Sequence, residues 1–281
     1  MESMIAKRIP TIMPLPNLDE RIEMQKIYSA AGLDYCLHSG NRPFRAPHHT
    51  ISDVGLLGGG SIPKPGEISL AHLGVLFLDE LPEFRRSTLE VLRQPLEDRC
   101  VTISRSASTV TLPASFSLVA AMNPTPDGFG VNKGIRTRST PTQIQKYRSR
   151  VSGPLLDRID IHVEVDDVSV QDLENQSSNP PSSLIRSRIE QARERQKHRF
   201  SGKYYNASMS GKILEKEVRY TAKQKDLLRQ AMNKMQLSAR AYDRIRKVSL
   251  TIADLEGSET IEDAHLLEAI QYRSLDRNDL V

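Results

Sequence analysis

The apolar positions of this chain gather into short unbroken runs separated by polar, turn-forming stretches. Val75-Leu76-Phe77-Leu78, closed by Asp79-Glu80, has no polar residue on alternate positions. It therefore predicts a buried strand of the kind found in parallel sheets, ending in two carboxylates. Ser117-Leu118-Val119-Ala120-Ala121-Met122-Asn123-Pro124 repeats the pattern and ends in an amide. Helical spacing marks 18–31, with Gly32 as its stop, and 83–98 reads as an amphipathic helix. Val101-Thr102-Ile103 and Val110-Thr111-Leu112 alternate as two hairpin strands around 104–109, with Arg105 near the tip. The stretch 42–66 is rich in turn formers, with Gly58-Gly59-Gly60 and Pro63-Lys64-Pro65-Gly66 as breakers. Past 166, Gln176-Ser177-Ser178-Asn179-Pro180-Pro181-Ser182 interrupts any period and reads as a linker. Helices are then expected near 183–198, 222–235, 239–255 and 261–272, with Ser238 and Thr260 as N-caps and Gly257 as a C-terminal stop. The organisation expected is an α/β domain over 1–166, a linker over 167–183 and an all-helical domain over 184–281.

The length of 281 residues accommodates two cores. Six Phe and no Trp make them mainly aliphatic. Cys36 and Cys100 provide no disulfide framework, which fits a reducing compartment. No apolar run is long enough to span a bilayer and the N-terminus lacks a signal pattern, so the expectation is a cytoplasmic protein with no membrane partner. A net charge of +4 is compatible with nucleic-acid contact, and basic residues cluster in 133–150 and 186–199.

Adjacent acids at the carboxyl end of a buried strand suit a nucleotide site, where Asp79 would hold the Mg²⁺ of MgATP and Glu80 would polarise the attacking water. The same hexapeptide also describes a strand that simply meets solvent. Asn123, at the tip of the second run, suits a contact to a γ-phosphate and the lytic water, or a plain Asn-Pro turn. Arg158 stands between Asp157 and Asp160. It reads either as an arginine finger acting across a subunit boundary or as a surface ion pair with one of those acids. Arg105 reads as a backbone contact to nucleic acid or as a solvated turn residue. His48-His49 offers two imidazoles without acidic or cysteine neighbours, more in keeping with loop packing than with metal ligation.

The order of these motifs resembles the magnesium-chelatase-like AAA+ ATPases of the ComM (YifB) group. Arg42-Pro43-Phe44-Arg45-Ala46-Pro47-His48-His49-Thr50, Pro65-Gly66-Glu67-Ile68-Ser69-Leu70-Ala71-His72 and Leu237-Ser238-Ala239-Arg240-Ala241-Tyr242 carry the resemblance with them. It implies a P-loop-type parallel sheet with helices on both faces and a helical lid. It makes Asp79 and Glu80 the Walker B acids and Asn123 sensor 1, with Arg158 as the finger and Arg240 as sensor 2. Arg150 and Arg244 are the reserves for the last two roles. Ser3 falls at the Mg²⁺-liganding hydroxyl position, while Met1 and Glu2 stand where the loop's Gly and Lys belong. On this alignment the first strand, the Walker A loop and a preceding Lon-like domain are missing, and the chain is expected to be an N-terminally truncated member with impaired turnover. The strand 118–122 would then have an open edge. The stretch 42–66 corresponds to an insertion that can reach the pore of a ring.

Cysteine positions that relatives use for zinc are Thr125, Asp127, Thr137 and Ser139 here, so no zinc is expected. A further family arginine expected near Ser249-Leu250 is absent. The activity implied is ATP hydrolysis with Mg²⁺, coupled to DNA remodelling in a homo-oligomeric, hexameric ring. The alternatives are an ATPase-deficient assembly subunit and a chelatase-type motor acting on a protein partner.

Overall fold

A computed structural model describes residues 2–35, 40–105, 108–128, 138–165 and 180–273. The chain divides between Arg158 and Ile159 into two compact units.

The N-terminal unit opens with α1 (Glu2–Ile12) and α2 (Leu18–Ala31). The boundaries of α2 follow from its ends. Asn17 and Glu20 close a reciprocal capping box at the start, and Gly32 adopts φ 74° at the stop. A three-stranded parallel sheet follows, built from β1 (Phe44–Arg45), β4 (Val75–Leu78) and β7 (Ser117–Ala120) in the order β1-β4-β7. Both faces of β4 are covered. Leu76 and Leu78 enter the main core with Leu56, Ile68, Leu89, Leu92 and Leu155, while Phe77 packs on the other face with Ala6 of α1 and Ala121. Full burial on both faces is why the run carries no polar alternation. Among the described residues β7 pairs only with β4, and Ser117 is exposed on it.

Between β1 and β4 the turn-rich stretch holds more structure than its composition suggests. Helix α3 (Asp53–Leu57) is capped by the Ser52 hydroxyl, β2 (Gly58–Gly59) pairs antiparallel with β3 (Lys64–Pro65), and α4 (Glu67–Leu70) precedes β4. Gly58 has φ 104° and a Cβ there would lie 2.3 Å from the Lys64 carbonyl, so only glycine closes this ladder.

The single helix expected over 83–98 is instead a 3₁₀ turn (Leu81–Glu83) followed by α5 (Arg86–Glu90) and α6 (Arg93–Asp98). Pro95 explains the break. It has no N–H for the Val91 carbonyl, and its ring would collide with that carbonyl in a continuous helix. The expected hairpin is present, with β5 (Cys100–Arg105) antiparallel to β6 (Ser108–Pro113) and Arg105 opposite Ser108 at its end. Residues 106–107 and the Arg105 side chain lie outside the description, as does Cys36. Two helices close the unit, α7 (Pro141–Arg148) and α8 (Gly153–Leu156).

The C-terminal unit is helical: α9 (Ser182–Phe200), α10 (Gly211–Glu217), α11 (Ala222–Met235), α12 (Ala239–Glu256) and α13 (Asp263–Gln271). The linker expected over 167–183 lies outside the described residues up to 179, and Ser182 already belongs to α9. Helix α12 contributes to both cores of the unit, Leu250 and Ala253 to one and Ile245 and Ile252 to the other. Ser238 caps it through Ala241 N–H and Gly257 ends it at φ 80°. Thr260 does not cap α13. Glu262 does, with the His265 imidazole returning a bond to the Glu262 N–H. An Arg199–Asp254 fork at 2.6 and 2.9 Å, shared with the Asn206 amide, pins α9 to the end of α12. No described helix is long and apolar enough to cross a membrane.

Candidate functional site

The parallel register places Leu78 beside Ala120, so the chain leaves β4 and β7 at the same end of the sheet. Asp79 and Glu80 emerge from one strand and Asn123 follows the other. The two exits stay stitched past the ladder, since Ala121 N–H donates to the Leu78 carbonyl and Leu81 N–H to that of Ala121, both at 2.9 Å. Helix α1 brings in Ser3, whose hydroxyl donates to Asp79 Oδ2 at 2.6 Å. Asp79 Oδ1 accepts the Glu80 N–H at 3.0 Å. Both carboxylate oxygens are therefore fixed although the residue is exposed.

Glu80 itself has φ 53°, a left-handed conformation uncommon for a residue with a Cβ. Its side chain is 57% exposed, and Oε2 lies 3.2 Å from His49 Nδ1. The His49 ring stacks against His48 at 4.1 Å and stands edge-on to Phe84 at 6.4 Å.

Asn123 is exposed at the start of a loop that is fixed from several sides. Thr125 Oγ1 donates to Asp127 Oδ1 at 2.7 Å, the Arg138 N–H donates to Asp127 Oδ2 at 2.7 Å, and Arg148 Nε reaches the Pro124 carbonyl at 3.1 Å. Thr137 lies outside the described residues.

Four of the residues singled out from sequence, Ser3, Asp79, Glu80 and Asn123, thus gather at one end of the sheet. The arginines do not all join them. Arg158 is 5% exposed, and its ion pair is with Glu97 at 2.6 Å rather than with Asp157 or Asp160. Its Nη1 donates to the Pro154 carbonyl at 2.6 Å, and its buried Nε has no acceptor. Arg150, half exposed, reaches Glu83 at 2.9 Å and the Pro82 carbonyl at 3.3 Å in the turn that follows Glu80. Arg240 is exposed in the first turn of α12, and Arg244 pairs with Asp160 within the C-terminal unit. Ser249, where a family arginine was expected, is buried and accepts from the Tyr220 hydroxyl at 2.7 Å while donating to the Arg246 carbonyl at 3.0 Å. Sequence reasoning missed His49 as a partner of Glu80, because the two are far apart in the chain and no local pattern links them.

The hydroxyl and carboxylate of Ser3 and Asp79 are hard oxygen donors of the kind that suit a magnesium ion, which takes few protein ligands and keeps several waters. Among the described residues there is no group of three or more His, Cys, Asp or Glu able to hold a metal. A cleft of about 320 Å³ lined by Leu57, Glu90, Arg93 and Cys100 lies elsewhere, and none of the four site residues borders it.

Residues 2–173 match the profile of magnesium chelatase, subunit ChlI, and residues 179–273 that of the ChlI C-terminal region. The chain belongs to the magnesium chelatase ChlI family. Within it, the chain is 45% identical over 278 residues to the competence protein ComM of Haemophilus influenzae and 40% identical over 279 residues to YifB of Escherichia coli. An uncharacterized protein of Mycobacterium tuberculosis is 35% identical over 281 residues. These alignments cover 97–98% of this chain and 54% of each relative, so the chain spans about half the length of the relatives it matches. The ComM and YifB likenesses place it with that group of the family.

Proposed function

We propose that this member of the ChlI family carries the metal-holding and water-activating side of an ATP-hydrolysis centre, one that serves a ring of subunits acting on DNA. The observation that carries the reading is the 2.6 Å bond between Ser3 and Asp79, formed beside Glu80 where two parallel strands end. A hydroxyl at a helix start and a carboxylate at a strand end, already in contact, form a preorganised pair of oxygen ligands for MgATP. The magnesium ion would neutralise charge on the β- and γ-phosphate oxygens. Glu80, exposed and adjacent, is placed to polarise a water, and the Asn123 amide can bond the γ-phosphate and that water. Arg240 serves as sensor 2 and Arg105 as a contact to the DNA backbone.

Arg158 acts as the finger for a neighbouring copy once it leaves Glu97. The unsatisfied Nε supports this as a donor still open to a phosphate, while release from Glu97 and the Pro154 carbonyl is a cost that the neighbouring site must offset. DNA as substrate is what the resemblance to the ComM group implies, and the relative from Haemophilus influenzae is named a competence protein. The family description, a magnesium chelatase subunit, favours a second reading in which the ring remodels a protein partner.

The test is MgATP binding and turnover by the purified chain, with and without DNA, against Glu80→Gln. Turnover stimulated by DNA and lost in Glu80→Gln is expected. Binding without turnover in the unaltered chain would replace this reading with that of an ATPase-deficient assembly subunit. Turnover untouched by Glu80→Gln would remove the site from consideration.

A further inference from the structure

We infer that His49 is a positioning residue for Glu80, holding its carboxylate through an Nδ1–H donor, an inference that rests on the hydrolysis reading above. Two ladder pairs and two side-chain contacts link 42–49 to 73–80 at one sequence offset. Arg42 bonds the Leu73 carbonyl 31 residues on, Phe44 and Arg45 pair with Val75 and Leu76, and His49 meets Glu80. The two-residue β1–β4 ladder, whose β1 residues are half-buried, thus precedes the turn in which His49 meets Glu80. His48 at 4.1 Å and Phe84, edge-on at 6.4 Å, both pack against the His49 ring and restrict its rotation. Glu80 needs such a restraint. Its backbone is left-handed and its side chain is more than half exposed, so without a partner the carboxylate samples several rotamers.

The two neighbouring imidazoles use the same nitrogen in opposite senses. His48 Nδ1 receives the Thr50 N–H at 3.4 Å and faces the Thr50 hydroxyl at 2.9 Å. A backbone N–H only donates, so His48 Nδ1 is an acceptor and its ring proton sits on Nε2. His49 Nδ1 faces a carboxylate oxygen, which only accepts, so its proton sits on Nδ1. Adjacent histidines in opposite tautomers are a specific signature of this arrangement.

The experiment has two arms on the full chain. In the first, ¹⁵N-labelled protein is examined by long-range ¹H–¹⁵N correlation. The expected result is His48 as the Nε2–H form and His49 as the Nδ1–H form, with His49 reverting to Nε2–H in Glu80→Ala. Finding His49 as Nε2–H in the unaltered chain overturns the inference. In the second, ATP turnover is compared in His49→Ala, His49→Asn and His49→Gln. An Asn amide nitrogen occupies the place of Nδ1 and a Gln amide nitrogen approximates Nε2. His49→Ala and His49→Gln are expected to lose roughly 10- to 100-fold in kcat with KM within about twofold, and His49→Asn to recover most of it. Equal loss in Asn and Gln variants, or unchanged kcat in His49→Ala, overturns the positioning role. A chain that turns over no ATP counts against the proposed function, and the tautomer arm then decides the inference.

Discussion

Replacing Arg42 with alanine tests the argument that one buried guanidinium organises the entry to β4. Arg42 is 4% exposed and spends its donors on three partners. Nε bonds the Pro14 carbonyl at 2.7 Å, Nη1 the Leu73 carbonyl at 2.9 Å, and Nη2 both oxygens of Glu20 at 3.0 and 3.1 Å. Breaking a buried pair from one side costs about 3–5 kcal/mol, because the groups left behind stay desolvated. Glu20 is 25% exposed and can regain water, which places Arg42→Ala near the low end, about 3 kcal/mol. Arg45 offers the internal control. Its fork onto Glu67, at 2.6 and 2.7 Å, is as well formed, but the partners are 30% and 21% exposed. Arg45→Ala should therefore cost about 1 kcal/mol. Arg42→Lys keeps the charge but not the fork and should fall between, at about 2 kcal/mol. Urea unfolding with hydrogen exchange read at the β4 amides assigns each loss to the N-terminal unit. Equal costs for Arg42→Ala and Arg45→Ala would refute the burial argument.

Stability should fall in mild acid through His72. Burial holds its pKa below the usual value against the opposing Glu23 bond, while Nδ1 accepts the Ser115 N–H at 3.0 Å. The unfolded chain then binds the proton first, so this contribution is complete above about pH 6.5 and is lost as pH falls toward the depressed folded value. His72→Gln should flatten that part of the profile in urea titrations run at several pH values. At the other extreme, burial raises the Tyr220 phenol to about 12. Its share of stability, roughly 2–3 kcal/mol, should disappear between pH 10 and 12, and Tyr220→Phe should remove that dependence in ultraviolet-monitored denaturation. Ser3→Ala should weaken magnesium-dependent ATP binding about tenfold, the equivalent of one bond to a charged group, and leave magnesium-free binding unchanged by calorimetry.

What the chain reveals when read linearly depends on whether the cause is local. The acids at 79–80 and the amide at 123 follow short apolar runs, and the parallel register brings those runs side by side. The capping box at Asn17 and the glycine at 32 are local too, and α2 starts and stops where they stand. The break in 83–98 is equally local, written in Pro95, although the amphipathic spacing runs on across it. Helices α3 and α10 are too short to build a period, and a turn-rich reading of 42–66 holds no place for the first of them. Arg158 illustrates the other case. Two acids flank it in sequence, yet Glu97, brought in by the fold, takes the ion pair.

The block 42–49 shows why a recognisable motif and its physical cause are different pieces of knowledge. As text, Arg42-Pro43-Phe44-Arg45-Ala46-Pro47-His48-His49 is simply distinctive. In the fold it is a brace laid alongside β4, and its polar residues grip what the strand cannot hold by itself. Leu73 before the strand and Glu80 after it both have left-handed backbones, at φ 58° and 53°. Each such residue costs on the order of 1–2 kcal/mol and persists only when its surroundings over-determine it. Arg42 bonds the carbonyl of the first, and His49 meets the side chain of the second. Between them β1 pairs with β4 over two residues. The β7 side holds both ends as well, through Leu73 N–H to the Ser115 carbonyl at 2.6 Å and Leu81 N–H to the Ala121 carbonyl at 2.9 Å. The brace adds a side-chain contact at each end, so the spacing between Arg42 and His49 matters as much as either residue.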